Sequence, residues 1–102
     1  MKLKGRPEKA RYVKNMPKIS QFSPRGRPGR PDEVVLSLDQ LEALKLADLE
    51  GNPQCDGAKS MRISRPSFSR ILKRARNIVA DALVNGKIIR ITGGRIIFSE
   101  KP

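Results

Sequence analysis

Residues Gly57–Leu83 read GAKSMRISRPSFSRILKRARNIVADAL, and the fold turns on how this stretch is read. From Ser64 onward, apolar residues recur at Phe68, Ile71, Leu72, Ala75, Ile78, Val79, Ala82 and Leu83. Steps of three and four residues place them on one face of a helix. At about 100° of turn per residue, the opposite face carries Ser69, Arg70, Lys73, Arg74 and Asn77. The face unsuited to a core is cationic and rich in hydrogen-bond donors.

Just upstream, the pattern predicts a short helix from Pro53 to about Met61, with Asn52 as its N-cap. Met61-Arg62-Ile63 then reads as a tight turn, and Ser64 as the cap of the long helix, with Pro66 tolerated in its first turn. Ala58 is small enough for two helices to cross closely, Ile63 can plug the core, and Phe68 and Ile71 can anchor the second helix. Together these are the requirements of a helix-turn-helix. Two residues sit awkwardly in it. Gly57 weakens the short helix by up to ~1 kcal/mol relative to Ala. Arg62 in a left-handed turn costs roughly 1–2 kcal/mol.

Working outward, a further helix begins at Ser37. Ser37 and Gln40 stand at capping-box spacing, Leu36 and Leu41 form a hydrophobic staple, and Asp39 and Glu42 suit the positive end of the helix dipole. The helix is predicted to reach about Glu50, with Gly51 as a left-handed stop. Its leucines at 38, 41, 44, 46 and 49 share no narrow stripe, which predicts burial on two sides. On the other flank, Asn85-Gly86 reads as a helix terminator and the period changes to two. Lys87–Thr92 and Arg95–Ser99, separated by Gly93-Gly94, predict a β-hairpin in which Ile91 meets Ile96 and Ile89 meets Phe98. The sequence thus predicts a mainly α fold: a three-helix core, a C-terminal β-hairpin and a basic, largely extended N-terminal arm. The boundaries are 1–31 for the arm, 32–86 for the helical domain, and 87–102 for the hairpin and tail.

The charge is patterned along the chain. Of 102 residues, 22 are Lys or Arg and 10 are Asp or Glu, for a net charge of +12. Residues 1–31 hold ten basic side chains and one acidic, 32–58 hold one and seven, and 59–102 hold eleven and two. Such a balance favours a polyanionic partner. The acidic middle reads as a solvated helix face turned away from that partner, with RNA polymerase as an alternative contact by analogy only. With no His and a single Cys, an intrachain disulfide, a zinc cluster and a His-based catalyst are all excluded. The expectation is a non-enzyme with no cofactor. Cys55 reads as a small residue near the core. No apolar run approaches the ~18–20 residues of a membrane span, and the basic N-terminus lacks the apolar segment of a secretory signal. The expected compartment is the cytoplasm, at the nucleoid.

Groove geometry assigns roles on the long helix. First turns of a recognition helix reach base edges, and basic residues beyond them meet phosphates. Arg65, Ser67, Ser69 and Arg70 are the base-reading candidates; Lys73, Arg74, Arg76 and Asn77 are the phosphate candidates. In the arm, Pro24-Arg25-Gly26-Arg27-Pro28, followed by Gly29-Arg30-Pro31, is AT-hook-like. Gly allows close approach to a narrow minor groove and Arg runs along its floor. Arg25, Gly26, Arg27 and Arg30 are the minor-groove candidates, with loose phosphate contact or a plain linker as alternatives. Val13, Met16, Ile19 and Phe22 are the arm residues able to dock on the domain. Arg90 and Arg95 beside the glycine pair offer a DNA-touching wing; packing or dimerisation through the isoleucines is the competing use.

Three runs carry a family resemblance: VVLSLDQLEALKLADLEG from Val34, SRPSFSRIL from Ser64, and VADALVNGKIIRI from Val79. They resemble a family of small uncharacterised prokaryotic proteins described as DNA-binding, whose helix-turn-helix is similar to the fourth region of bacterial sigma factors. The resemblance covers roughly Arg11 to Gly94. It implies a recognition helix starting at Ser64 and a family pattern that includes Asp39, Glu42, Ala43, Leu46, Asp48 and Glu50. Gln54 matches the usual start of the short helix, whereas Cys55, Gly57 and Arg62 depart, which implies a less regular turn. The function expected is a sequence-specific double-stranded DNA-binding protein acting as a transcriptional regulator, most simply as a homodimer on paired half-sites. The alternative, from the charge and the Arg-Gly-Pro arm, is a structural RNA-binding protein of ribosomal type. The shortage of aromatics for base stacking, three Phe and one Tyr, counts against it.

Overall fold

A computed structural model describes residues 10–26 and 29–99. Its longest element is helix α3, Arg65–Asn85, whose ends are both chemically specified. Ser64 holds the extended N-cap conformation and its hydroxyl accepts the Ser67 N–H at 3.2 Å. Pro66 falls in the first turn, where a missing N–H leaves no helical bond unmade. The helix stops at Gly86, which is left-handed at φ 63. Phe68, Ile71, Leu72, Ala75 and Ala82 are buried along one face, with Ile78 and Val79 half-buried. Leu83, expected on that face, is 75% exposed. It lies about 100° around the helix from Ala82 and faces the rim along which Phe22 and Pro24 pass.

Helix α1 spans Leu38–Leu44 and continues as a π-helical turn over Lys45–Leu49. The capping box forms: the Ser37 hydroxyl accepts the Gln40 N–H, and the Gln40 side chain accepts the Ser37 N–H at 2.9 Å. In the widened turn the Glu50 N–H reaches the Lys45 carbonyl at 2.8 Å, and Gly51 follows with φ 75. This turn sends Leu46 into the core and leaves Leu49 80% exposed. Helix α2 is Gln54–Met61. Pro53, not Asn52, holds its N-cap position, and no side chain caps it. The helix starts one residue later than predicted because the extended ψ of 153 at Pro53 aims its carbonyl at the Asp56 and Gly57 N–H groups. The Asn52 amide donates to the Glu50 carboxylate instead.

The turn from α2 to α3 is regular despite its composition. Arg62 takes the left-handed conformation, φ 57 and ψ 44. Its guanidinium lies over the Tyr12 ring, 4.1 Å from the centroid. That contact, worth about 0.5–1 kcal/mol, offsets part of the strain. Gly57 has a steric reason: a Cβ there would sit 2.5 Å from Cζ of Phe68. The ring of Phe68, fully buried, occupies the space that a side chain at 57 would need.

Two buried clusters share α3. Its N-terminal half packs Phe68, Ile71 and Leu72 against Ala43, Leu46, Ala58 and Met61, with Ile63 at the edge as the plug. Its C-terminal half packs Ala75, with Ile78 and Val79, against Leu36, Leu38 and Ile91. In this second cluster Leu36 comes from strand β3 (Glu33–Leu36) and Ile91 from strand β4 (Ile88–Ile91).

The predicted C-terminal β-hairpin does not form. β4 lies between β3, to which it is parallel, and β2 (Gln21–Phe22), to which it is antiparallel. β5 (Ile96–Phe98) pairs in parallel with β1 (Arg11–Val13) in a separate two-stranded sheet. Leu36, not Ile96, stands opposite Ile91, and Val34 and Phe22, not Phe98, flank Ile89. Gly93 and Gly94 do have the positive φ values, 84 and 103, that a tight hairpin requires. They carry the chain from one sheet to the other, and the Gly93 carbonyl accepts the Leu38 N–H at 3.0 Å. Both edges of β4 are taken by N-terminal segments, so no edge remains for β5.

The basic segment is thus tied to the domain through β1 and β2, at Arg11–Val13 and Gln21–Phe22. Val13 is buried, while Met16, Ile19 and Phe22 remain exposed. The acidic middle is partly internal, against expectation: Asp39 and Glu42 are buried. Asp39 accepts from the Ser37 hydroxyl and pairs with Arg11 at 3.4 Å. Glu42 accepts the Lys14 N–H at 3.4 Å and pairs with Lys45 at 3.3 Å. A buried carboxylate needs such partners, because an unpaired one is strongly destabilising. Cys55 is exposed, not near the core. Among the described residues no helix is long and apolar enough to cross a membrane.

Candidate nucleic-acid interface

The long stripe of α3 fixes what its outer surface presents. With Phe68, Leu72 and Ala75 locked in the core, Arg70, Lys73 and Asn77 form the crest of the opposite side, all exposed. Ser67 and Arg74 lie on one flank, Arg65, Ser69 and Arg76 on the other. All eight residues predicted on this helix are thus on one outer surface. Only Ser67 is half-buried; its hydroxyl accepts from Arg70 at 3.3 Å.

One of the eight is already engaged. Arg76 grips Asp48, in the π-helical turn, through two hydrogen bonds of 3.0 and 2.8 Å. These bonds hold the Asp48 carboxyl below the usual carboxylate range and push the Arg76 guanidinium up. Arg76, predicted as a phosphate contact, is thus bound to a carboxylate of its own chain.

On the flank of Ser67 and Arg74 the surface is concave. A cleft of about 500 Å³ opens between α3, the N-terminal end of α1 and the link between β4 and β5. Arg70 and Arg74 reach it from α3, Arg95 from the link and Arg11 from β1. Asp39 is the one carboxylate on its wall. Arg90 and Arg95, predicted to form one wing, serve different places. Arg90 is held along the sheet by Glu33 at 2.8 Å, which keeps the Glu33 carboxyl below its ordinary range and pushes Arg90 up. Arg11 gave no signal in the sequence, because only the pairing of β1 with β5 brings it here.

The described AT-hook-like candidates, Arg25, Gly26 and Arg30, do not join this surface. Arg25, Gly26 and Arg30 are exposed; Arg27 lies outside the described residues. Residues 23–32 link β2 to β3, and Pro24 packs beside Ala82, Leu83 and Gly86. That is the far end of α3 from Ser67, about 24 Å away at 1.5 Å per residue.

A three-helix domain with two small sheets and an arginine-walled cleft beside its longest helix is the class these features define. The chain belongs to the family described as Protein of unknown function DUF134, whose match covers residues 1–99. It is 48% identical over 98 residues to a UPF0251 protein of Prosthecochloris aestuarii, spanning 95% of this chain and 63% of that one. It is 51% identical over 90 residues to one of Thermoanaerobacter pseudethanolicus, spanning 87% of this chain and 76% of that one. A third, from Chlorobaculum tepidum, is 53% identical over 93 residues, 90% of this chain and 61% of its own. The chain thus spans somewhat over 60% of the length of two of these relatives. No solved structure matches.

Proposed function

We propose that the chain is a double-stranded DNA-binding protein, a transcriptional regulator rather than an enzyme, in which α2, the turn at Arg62 and α3 act as a helix-turn-helix similar to sigma region four. Residues 62–80 carry six Lys or Arg and no acid. Among the described residues only Arg76 of those six is in an ion pair. This single observation carries the reading: a solvated helix face normally mixes signs, whereas a uniformly cationic one loses self-repulsion on meeting phosphate. Arg65, Ser67, Ser69 and Arg70 take the base edges, where Arg can grip guanine with two bonds. Lys73, Arg74 and Asn77 take phosphates. The protein works in the cytoplasm at the nucleoid.

The test is a titration of the chain against random duplex DNA, single strands and structured RNA at two salt concentrations. Duplex preference with a steep salt slope is the expected result. RNA bound equally well or better would instead identify a structural RNA-binding protein.

A further inference from the structure

We infer that the cleft beside α3 is a phosphate seat, in which Arg74 and Arg95 hold one phosphate-bearing group while Arg70, at its rim, stays directed to the bases. The source of that phosphate rests on the reading above: the favoured one is a backbone phosphodiester of the duplex that α3 enters. The three arginines come from α3 and from the link after β4, and they share a space of about 500 Å³. Among the described residues the guanidinium groups of Arg74 and Arg95 have no hydrogen bond or ion pair, and that of Arg70 holds only the Ser67 hydroxyl. Guanidinium groups stay charged at every physiological pH, so their convergence is repulsive until an anion joins them. The cleft's own carboxylate cannot serve, because Asp39 is buried and occupied by Arg11 and the Ser37 hydroxyl.

A phosphate fits this arrangement better than a carboxylate does. Its oxygens are spread tetrahedrally and accept from several forked donors arriving from different directions. Gly94 keeps the wall low beside Arg95, since a Cβ there would stand 2.7 Å from Asp39 Oδ1. Arg70, on the crest, and Arg74, on the flank, are four residues apart and so neighbours along α3. A helix lying in the major groove brings that flank against the strand backbone.

The experiment uses the chain with Arg95→Ala and, separately, Arg74→Ala. Both residues are exposed, and loss of either side chain leaves the cores intact. The first arm is duplex titration across salt on AT-rich and GC-rich DNA. The second is titration with inorganic pyrophosphate, followed by NMR of the arginine side chains. If the seat holds a phosphodiester, each variant binds both duplexes roughly three- to tenfold more weakly. The slope of log affinity against log salt then shrinks by about 0.9, one phosphate contact. If duplex binding is unchanged but pyrophosphate saturates the wild-type chain and not Arg95→Ala, the seat serves a free phosphate compound. Unchanged slopes, together with pyrophosphate binding that is absent or indifferent to Arg95, overturn the seat. A wild-type chain that binds no duplex would sink the proposed function, and the pyrophosphate arm would then decide the seat alone.

Discussion

A methyl group on Gly57 would stand 2.5 Å from the ring of Phe68, so these two positions are one choice made twice. A helix interior prefers Ala to Gly by up to ~1 kcal/mol, yet Gly57→Ala is expected to destabilise, by about 1–2 kcal/mol net, through overpacking. Phe68→Leu alone should cost about 1–2 kcal/mol by leaving a void. Together the substitutions should cost less than their sum, because the smaller side chain makes room for the methyl. Urea midpoints of the four chains give the coupling, and strictly additive losses would refute it. Arg62 poses a similar balance. Arg62→Ala keeps the left-handed strain and loses the Tyr12 contact, so a loss of about 0.5–1 kcal/mol is expected. Arg62→Gly loses the same contact but relieves the strain, and should fall within about 0.5 kcal/mol of wild type. If both variants melt alike, the left-handed turn at 62 is not under strain.

Between elements, the pair of Asp48 and Arg76 ties the π-helical turn to α3 and withholds one cation from the outer surface. Asp48→Asn should release Arg76 and tighten duplex binding a few-fold at low salt, with the gain fading as salt rises. An unchanged or weaker affinity would show that Arg76 never meets phosphate. Because pairing lowers the Asp48 pKa, its contribution to stability is present above the ordinary carboxylate range and is lost as pH falls through the lowered value. The stability difference between Asp48→Asn and wild type should therefore be flat at neutral pH and close only below about pH 4. A difference that closed near pH 6 would point to another group. The helices were legible in the sequence because their signals are local: Ser37 with Gln40, Ser64 with Pro66, Gly86 after a long apolar stripe. The strands were legible singly, but their pairing was not. Gly93-Gly94 has hairpin chemistry, and only the competition of β2 and β3 for the edges of β4 overrides it. The site divides the same way. Arg70 and Arg74 follow from the helix face, whereas Arg11 and Arg95 reach the cleft only through the parallel pairing of β1 with β5.

Across the whole molecule, the basic segment of the sequence folds onto the acidic one: Arg11 pairs with Asp39, and the backbone N–H of Lys14, rather than its charge, meets Glu42. Positive charge is left exposed on the outer surface of α3, at Arg95 and, among the described residues of the link 23–32, at Arg25 and Arg30. The ends of that link are closely spaced: Phe22 stands opposite Ile89 and Glu33 opposite Ile88, on either side of β4. Two inter-strand spacings put them roughly 10 Å apart. Gly26 and Gly29 have φ of 81 and 78, a turning backbone rather than the extended one that follows a minor groove. Such turns at the far end of α3 are better suited to touching phosphates than to lying along a groove floor. Removing residues 1–31 would delete β1 and β2 as well, so the loop must be tested in place. Arg25→Ala, Arg27→Ala and Arg30→Ala combined should weaken AT-rich and GC-rich duplexes by the same factor. The salt slope should shrink by up to about 0.9 for each arginine in contact. A loss confined to AT-rich duplex would instead place these arginines in the minor groove, since its narrowness is what distinguishes such sequences there.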